Sequence, residues 1–151
     1  MRGEARLRPP WTIGEPAFTD ACTGCERVRT CPGPVLGPGD GGLPVFDPRL
    51  GKCRFRGGCA STCGAQLRRL VGQRPWTLRA GVGQDCLAAR GVACFGCRNA
   101  CGSAAIRFAT ARTVAVPEAL SGHCAGWGAC VAGCAAGALP LAGFHEEAID
   151  A

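Results

Sequence analysis

Thirteen cysteines, all of which belong to four short runs, are the residues of this chain best suited to chemistry. The third run, from Cys86 to Cys101, has the pattern C-x7-C-x2-C-x3-C. Its last three cysteines have the spacing that holds an iron–sulfur cube, because the irons require thiolate sulfurs from a tight, glycine-tolerant turn. The cysteines of all four runs are therefore predicted metal ligands: Cys22, Cys25 and Cys31; Cys53, Cys59 and Cys63; Cys86, Cys94, Cys97 and Cys101; and Cys124, Cys130 and Cys134.

The first, second and fourth runs each lack one cysteine of the full pattern. Arg56 and Trp127 stand at the second position of their runs, and Val28 stands at the third position of the first run. Arginine is always protonated and the indole nitrogen only donates, so neither Arg56 nor Trp127 can bind iron. The three incomplete runs are therefore expected to supply fewer thiolates than the third.

The composition indicates that metal binding, rather than a large apolar core, holds the chain folded. Leu, Val, Phe and Ile make up only 29 of the 151 residues, whereas Gly and Pro contribute 24 and 11. So few large apolar side chains cannot easily offset the ordering entropy of the chain. The cysteine count is odd and residues 1–17 contain no signal-peptide pattern, which favours metal in a reducing cytoplasm over disulfides. We expect a cytoplasmic protein.

Other functional classes find little support in the sequence. The formal net charge of +6 comes from 16 Arg and one Lys against 11 acidic residues, scattered without the basic stripe and aromatics of a nucleic-acid interface. No run of about 18 apolar residues is present that could span a membrane. The histidines, His123 and His145, have no paired carboxylates around them in a recognisable catalytic site. We therefore expect a protein that is not an enzyme, binds no nucleic acid and has no membrane span.

An internal repeat suggests that the chain has two homologous halves. Pro10-Trp11-Thr12-Ile13 is echoed by Pro75-Trp76-Thr77-Leu78, and a cysteine follows each tryptophan at a similar distance. The predicted organisation is a basic N-terminal arm over residues 1–17, a first half over 18–72, a second half over 73–142 and a tail over 143–151.

The segments between the cysteine runs are expected to form short elements. Residues 34–36 and 43–46 predict two short strands around a glycine-rich turn, and residues 105–108 and 113–116 predict a hairpin. Residues 66–71 and 129–132 are expected to form single turns of helix, which need tethering to persist at that length.

Several segments resemble the NapF-type ferredoxins, polyferredoxin accessory proteins of periplasmic nitrate reductase. They are Pro9-Pro10-Trp11, the run CTGC, the phrase GDGGLPVFD and above all CLAARGVACFGCRNAC with the later AIRF. The resemblance implies a cytoplasmic iron–sulfur protein that serves maturation of the nitrate reductase catalytic subunit precursor before export, by electron transfer or cluster handling. With it we expect an α+β fold of two tandem bacterial ferredoxin-like halves, whose short hairpins and short helices surround the clusters.

Carried onto this sequence, the family's ligand set is complete only in the third run. In two-cluster ferredoxins the last cysteine of one run binds the neighbouring run's cluster, and the last cysteines here all remain, at Cys31, Cys63, Cys101 and Cys134. The resemblance thus implies a [4Fe–4S] cluster on Cys86, Cys94 and Cys97, with Cys134 as the expected fourth ligand. The other clusters have at most three cysteine ligands, so [3Fe–4S] clusters or empty sites are expected there.

Two alternatives remain open. A structural zinc protein would use C-x2-C pairs such as Cys22/Cys25 and Cys94/Cys97, although the runs crowd more sulfur than one zinc needs. A degenerate ferredoxin would keep a partner-binding surface and little redox competence. Visible colour distinguishes a zinc protein, which is colourless, from an iron–sulfur protein, which is brown.

Overall fold

Glycine and proline interrupt most apolar segments of the chain, so its helices and strands are short. The computed structural model describes residues 6–22, 27–62, 72–110 and 113–143. The chain divides into two compact units, Met1–Trp76 and Thr77–Ala151. Both contain short helices and antiparallel strands, which is an α+β fold. That each unit is a ferredoxin-like half stays a prediction. No helix in the described ranges is long and apolar enough to cross a membrane.

Within its described residues, the first unit places a two-stranded sheet among three short α-helices. β1 pairs antiparallel with β2, and Leu36 lies opposite Phe46. The turn between the strands contains Gly41 and Gly42 at φ +66° and +75°, a left-handed conformation that glycine adopts without strain. The predicted pair of strands around a glycine-rich turn is therefore confirmed. The elements in chain order are α1 (Glu15–Ala21), α2 (Arg27–Thr30), β1 (Leu36–Pro38), β2 (Pro44–Phe46) and α3 (Gly58–Ser61).

Aromatic side chains supply much of the core of the first unit. The ring of Phe55 meets the rings of Trp11 and Trp76 edge-on, at centroid distances of 6.3 and 5.5 Å, and Trp76 also contacts Phe46 at 4.8 Å. The backbone N–H of Trp11 donates to the Pro75 carbonyl, and its indole N–H donates to the carbonyl of Gln73. The second part of the predicted N-terminal arm is thus packed into this unit.

The described residues of the second unit form two separate pairs of antiparallel strands. β3 pairs with β6, with Ala80 opposite Leu141, and β4 pairs with β5, with Ile106 opposite Ala119. The elements in chain order are β3 (Leu78–Ala80), α4 (Gly96–Ala100), β4 (Ile106–Ala109), β5 (Val116–Ala119), α5 (Ala129–Ala132) and β6 (Leu141–Gly143).

Two sequence predictions can be compared with the second unit directly. The helical turn over residues 129–132 is confirmed as α5. The hairpin is also present, but its second strand begins at Val116 rather than at Thr113. The predicted position was wrong because register is set by burial: Ile106 and Pro117 are buried, and their strands align with Ile106 opposite Ala119.

Helices α4 and α5 cross at two glycines. A Cβ atom built on Gly96 would lie 2.7 Å from the Gly133 carbonyl oxygen, and one built on Gly133 would lie 2.7 Å from the Cβ of Ala100. Only glycine at these positions lets the two backbones approach this closely. The crossing brings together one cysteine of the third run, Cys97 in α4, and one of the fourth run, Cys130 in α5.

Some predicted features lie outside the described residues. They are the helical turn over residues 66–71, the ligands Cys25 and Cys63, the first five residues of the arm and the tail from residue 144 onward. Gly143, where the predicted tail begins, is the last residue of β6.

Candidate metal centres

Four thiols of the second unit line one small cavity: those of Cys86, Cys94, Cys97 and Cys134. Its remaining wall is apolar, from residues such as Leu87, Pro117 and Leu139. The cavity has a volume of about 20 Å³, which is room for about one water. A cluster would therefore require the thiol side chains to turn outward. The donor set itself, four thiols in an apolar pocket, suits an iron–sulfur cluster.

Local turns position these four thiols. The unusual seven-residue spacer after Cys86 forms a tight turn, in which the Arg90 N–H donates to the Cys86 carbonyl and Gly91 has φ +89°. Cys97 lies in the first turn of α4. Cys134 follows α5, and its Sγ accepts a hydrogen bond from the Ala138 N–H at 3.3 Å. The cavity is therefore built from two runs, with three thiols from the third and one from the fourth.

Burial affects the ionisation of the thiols at this site. Burial raises the pKa of Cys97 above its ordinary value, and the nearby thiols of Cys134 and Cys86 add to the rise, while a backbone N–H opposes it. Iron binds thiolates, so occupation of the site must release protons. The seven cysteines of the second unit form no disulfide and are available as thiols.

A second group of thiols in this unit comes from Cys101, Cys124 and Cys130. Burial raises the pKa of Cys130 to about 11, and the proximity of Cys124 and Cys101 adds to this. The backbone N–H of Ala80 in β3 donates to the Sγ of Cys124 at 3.4 Å. Burial by itself would raise the pKa of Cys101. Hydrogen bonds from Ser103 and from backbone N–H groups outweigh it, so the pKa is lowered.

Trp127 stands in the fourth run where a second cysteine is missing, and its ring packs against Gly102. A Cβ atom on Gly102 would lie 2.9 Å from the ring carbon Cη2 and 3.2 Å from Cζ2. The indole therefore packs against the residue that follows Cys101 in the chain. The group itself offers three thiols.

The first unit holds a much larger cavity, of about 460 Å³, lined by Cys31, Cys53 and Cys59. These thiols come from the first and second runs. Burial raises the pKa of Cys53 to about 11, and the nearby thiols of Cys59 and Cys31 add to the rise. The Phe55 N–H, which donates to the Sγ of Cys53 at 3.4 Å, opposes the rise. Arg56, at the place of the missing cysteine, also lines this cavity.

The remaining predicted ligands are placed differently. Cys22 is half-buried at the C-terminal end of α1, where its N–H donates to the Phe18 carbonyl, and Cys25 and Cys63 lie outside the described residues. Across residues 6–22, 27–62, 72–110 and 113–143, no three or more His, Cys, Asp or Glu side chains are placed to hold a single metal ion. His123 is exposed in a turn.

Sequence reasoning missed the groups that donate to the sulfurs. The N–H groups of Phe55, Ala80 and Ala138 each donate to a cysteine Sγ. Hydrogen bonds of this kind stabilise thiolates and tune cluster potentials. Phe55 and Ala138 are close in sequence to their cysteines, but Ala80 lies 44 residues from Cys124, and no local pattern indicates that pairing.

Thiols from paired runs, gathered by short turns in a small α+β chain, are typical of an iron–sulfur protein of the ferredoxin type. Comparison with curated proteins supports this class. The chain is 33% identical over 143 residues to the ferredoxin-type protein NapF of Escherichia coli K12. The aligned region covers 93% of this chain and 87% of that protein. It is 32% identical over 137 residues to the protein of the same name from Haemophilus influenzae, covering 89% of this chain and 78% of that protein. The chain belongs to the family of NapF ferredoxin-type proteins.

Two further comparisons gave no match. No family model matches the chain, and no solved structure matches it.

Proposed function

We propose that this chain binds a [4Fe–4S] cluster through Cys86, Cys94, Cys97 and Cys134, and that it acts as a non-enzymatic electron-transfer or cluster-handling protein. The observation that carries the proposal is the single cavity lined by these four thiols. A bound cluster supplies a one-electron redox couple, whose potential depends on cluster type, hydrogen bonds to sulfur and solvent exposure.

The protein's own groups would hold the thiolates and exclude water. The Ala138 N–H donates to Cys134 and would stabilise its thiolate. Leu139 is buried and Leu87 half-buried in the wall of the cavity, so water has limited access to the sulfurs. Both effects bear on the potential of a bound cluster, and neither requires an acid–base residue.

The incomplete groups would hold fewer irons or none. Cys101, Cys124 and Cys130 form one three-thiol group, and Cys31, Cys53 and Cys59 form another. We propose a [3Fe–4S] cluster, or no cluster, at each of them. The use of Cys22, Cys25 and Cys63 as ligands stays a prediction from the sequence.

The first test is the metal content of anaerobically purified full-length protein. We expect a brown protein with broad visible absorption and at least four irons and four acid-labile sulfides per chain, as the [4Fe–4S] assignment requires. A colourless protein that contains zinc and no sulfide would favour the alternative of a structural zinc protein.

For the partner, we propose the precursor of the periplasmic nitrate reductase catalytic subunit, met in the cytoplasm. The support is membership of the NapF family together with the cluster site. The test is titration of the precursor with the iron-loaded chain and, separately, with the iron-free chain. Calorimetry measures binding, and the redox state of the precursor shows whether it has been reduced. If both forms bind the precursor and neither reduces it, the result would favour the alternative of a degenerate ferredoxin that only binds a partner. Absence of binding by either form would contradict the proposed partner.

A further inference from the structure

The two units differ at the position where a run lacks its second cysteine. In the fourth run Trp127 fills that place and packs on Gly102. In the second run Arg56 stands at the rim of an open cavity of about 460 Å³ that three thiols line. An aromatic ring packed on a glycine takes that position in the fourth run, whereas in the second run a cation borders a cavity.

The mouth of the first-unit cavity carries three positive charges within five residues. Lys52, Arg54 and Arg56 all line it, and all three are exposed. Within the part of the chain that the structure describes, neither Arg54 nor Arg56 forms an ion pair with an acidic side chain. The two guanidinium groups therefore create a local positive potential over Cys59, which is buried, and over the half-buried Cys31 and Cys53.

The loop that carries these cations is held in one conformation. Phe55 has φ +51°, which is unfavourable for a residue with a side chain. Its ring is fixed between Trp11 and Trp76, and its N–H donates to the Sγ of Cys53. Gly57 follows at φ +74°. Because Phe55 is anchored inward, Arg54 and Arg56 on either side of it are kept at the rim.

We propose that the first-unit cavity is a site for a small carboxylate, which Arg56 attracts and which completes a cluster held by Cys31, Cys53 and Cys59. Guanidinium groups pair strongly with carboxylates, and carboxylate oxygens are established ligands of iron in proteins. The inference rests on the proposed function, because it needs the [3Fe–4S] cluster at these three thiols. In its reduced form that cluster would take up one Fe²⁺ from the reconstitution mixture to give a [4Fe–4S] cluster, and the carboxylate would bind the fourth iron. It goes further by assigning the fourth ligand to a small anion from outside the chain and by naming Arg56 as the residue that positions it.

The test uses full-length protein, reconstituted anaerobically with iron and sulfide, and acetate labelled with ¹³C as the probe. The readouts are the electron paramagnetic resonance signal, the ¹³C hyperfine coupling to it and the iron content. We expect acetate to change one cluster signal and to show ¹³C coupling. Arg56→Gln should raise about tenfold the acetate concentration that gives a half-maximal change in the resonance signal, because a charge-assisted hydrogen bond is lost. Arg54→Gln, the matched control on the same rim, should raise it by less than about threefold.

A second variant keeps the inference testable if Arg56→Gln disturbs the loop. Arg56→Cys supplies a fourth thiolate, so it should retain or gain iron while the acetate effect disappears. If a cluster is present but acetate changes no signal in the natural sequence, or if Arg54→Gln weakens the effect as much as Arg56→Gln, the inference is overturned and the proposed cluster stands. If Cys53→Ser changes neither iron nor sulfide content, no cluster occupies these thiols, so the [3Fe–4S] alternative at this group fails and the inference fails with it.

Discussion

The crossing of α4 and α5 leaves no room for an added methyl group at either of its glycines. Gly133→Ala would place a Cβ atom 2.7 Å from the Cβ of Ala100, with carbonyl oxygens of Gly96 and Ala129 at 3.3 and 3.4 Å. The φ angle of Gly133 is −82°, so alanine is acceptable to the backbone and the cost arises from the contact alone. Because Cys134 follows directly, displacement of α5 would also move a predicted cluster ligand.

The expected cost follows from overpacking. Insertion of a methyl group into a closely packed contact costs about 1–3 kcal/mol. Ala100→Gly removes the atom at 2.7 Å, and by itself costs about 1 kcal/mol because glycine is a poor helix former. In the double variant the added methyl group meets only the two carbonyl oxygens, which can yield by a few tenths of an ångström. We therefore expect the double variant to be about as stable as Ala100→Gly alone, with a favourable coupling of about 1–3 kcal/mol.

The assay is a double-mutant cycle on anaerobically reconstituted protein. Unfolding midpoints in denaturant are followed by circular dichroism and by visible absorbance, so that loss of fold and loss of cluster are recorded separately. Gly122→Ala is the matched control, because a Cβ there meets nothing within 4 Å and its φ is ordinary. Additive effects of Gly133→Ala and Ala100→Gly, or an equal loss in Gly122→Ala, would refute the assigned contact.

Three further predictions concern single substitutions. Gly102→Ala should displace the Trp127 ring, since the new Cβ would lie 2.9 Å from it, and an unchanged tryptophan emission spectrum would contradict that packing. Gly41→Ala should lower the free energy of unfolding by about 1 kcal/mol, because φ is +66° and nothing within 4 Å adds a steric cost; thermal unfolding gives the measurement. Hydrogen bonds from Arg49 hold the pKa of Asp47 below its usual value. The stabilisation is present above the unfolded-state pKa and is lost as pH falls through the folded-state pKa, so Asp47→Asn should flatten the acid side of a stability–pH profile.

The sequence predicted several local elements because these depend on short-range patterns. The helical turn of α5 and the paired β1 and β2 follow from small residues, glycines and alternation over a few positions. The scarcity of large apolar residues is also visible in the second unit, where alanines such as Ala80, Ala88 and Ala105 occupy the buried positions.

The remaining features depend on distant residues. The pairing of β3 with β6 joins segments about sixty residues apart, and neither segment is distinctive by itself. The repeat marked Trp11 and Trp76 as equivalent, but it did not indicate that both would pack on Phe55 within the same unit. The difference between the Arg56 and Trp127 sites was likewise not visible, because the spacing shows only a missing ligand and not what surrounds it.

The central claim is that Cys134 of the fourth run completes the cluster site of the third run. Its most direct test is electron paramagnetic resonance of the reduced, anaerobically reconstituted protein, with iron and sulfide counted for Cys134→Ser and for Cys22→Ser as the matched control. We expect Cys134→Ser to lose or convert the [4Fe–4S] signal, while Cys22→Ser retains it. An unchanged signal and iron content in Cys134→Ser would contradict the account.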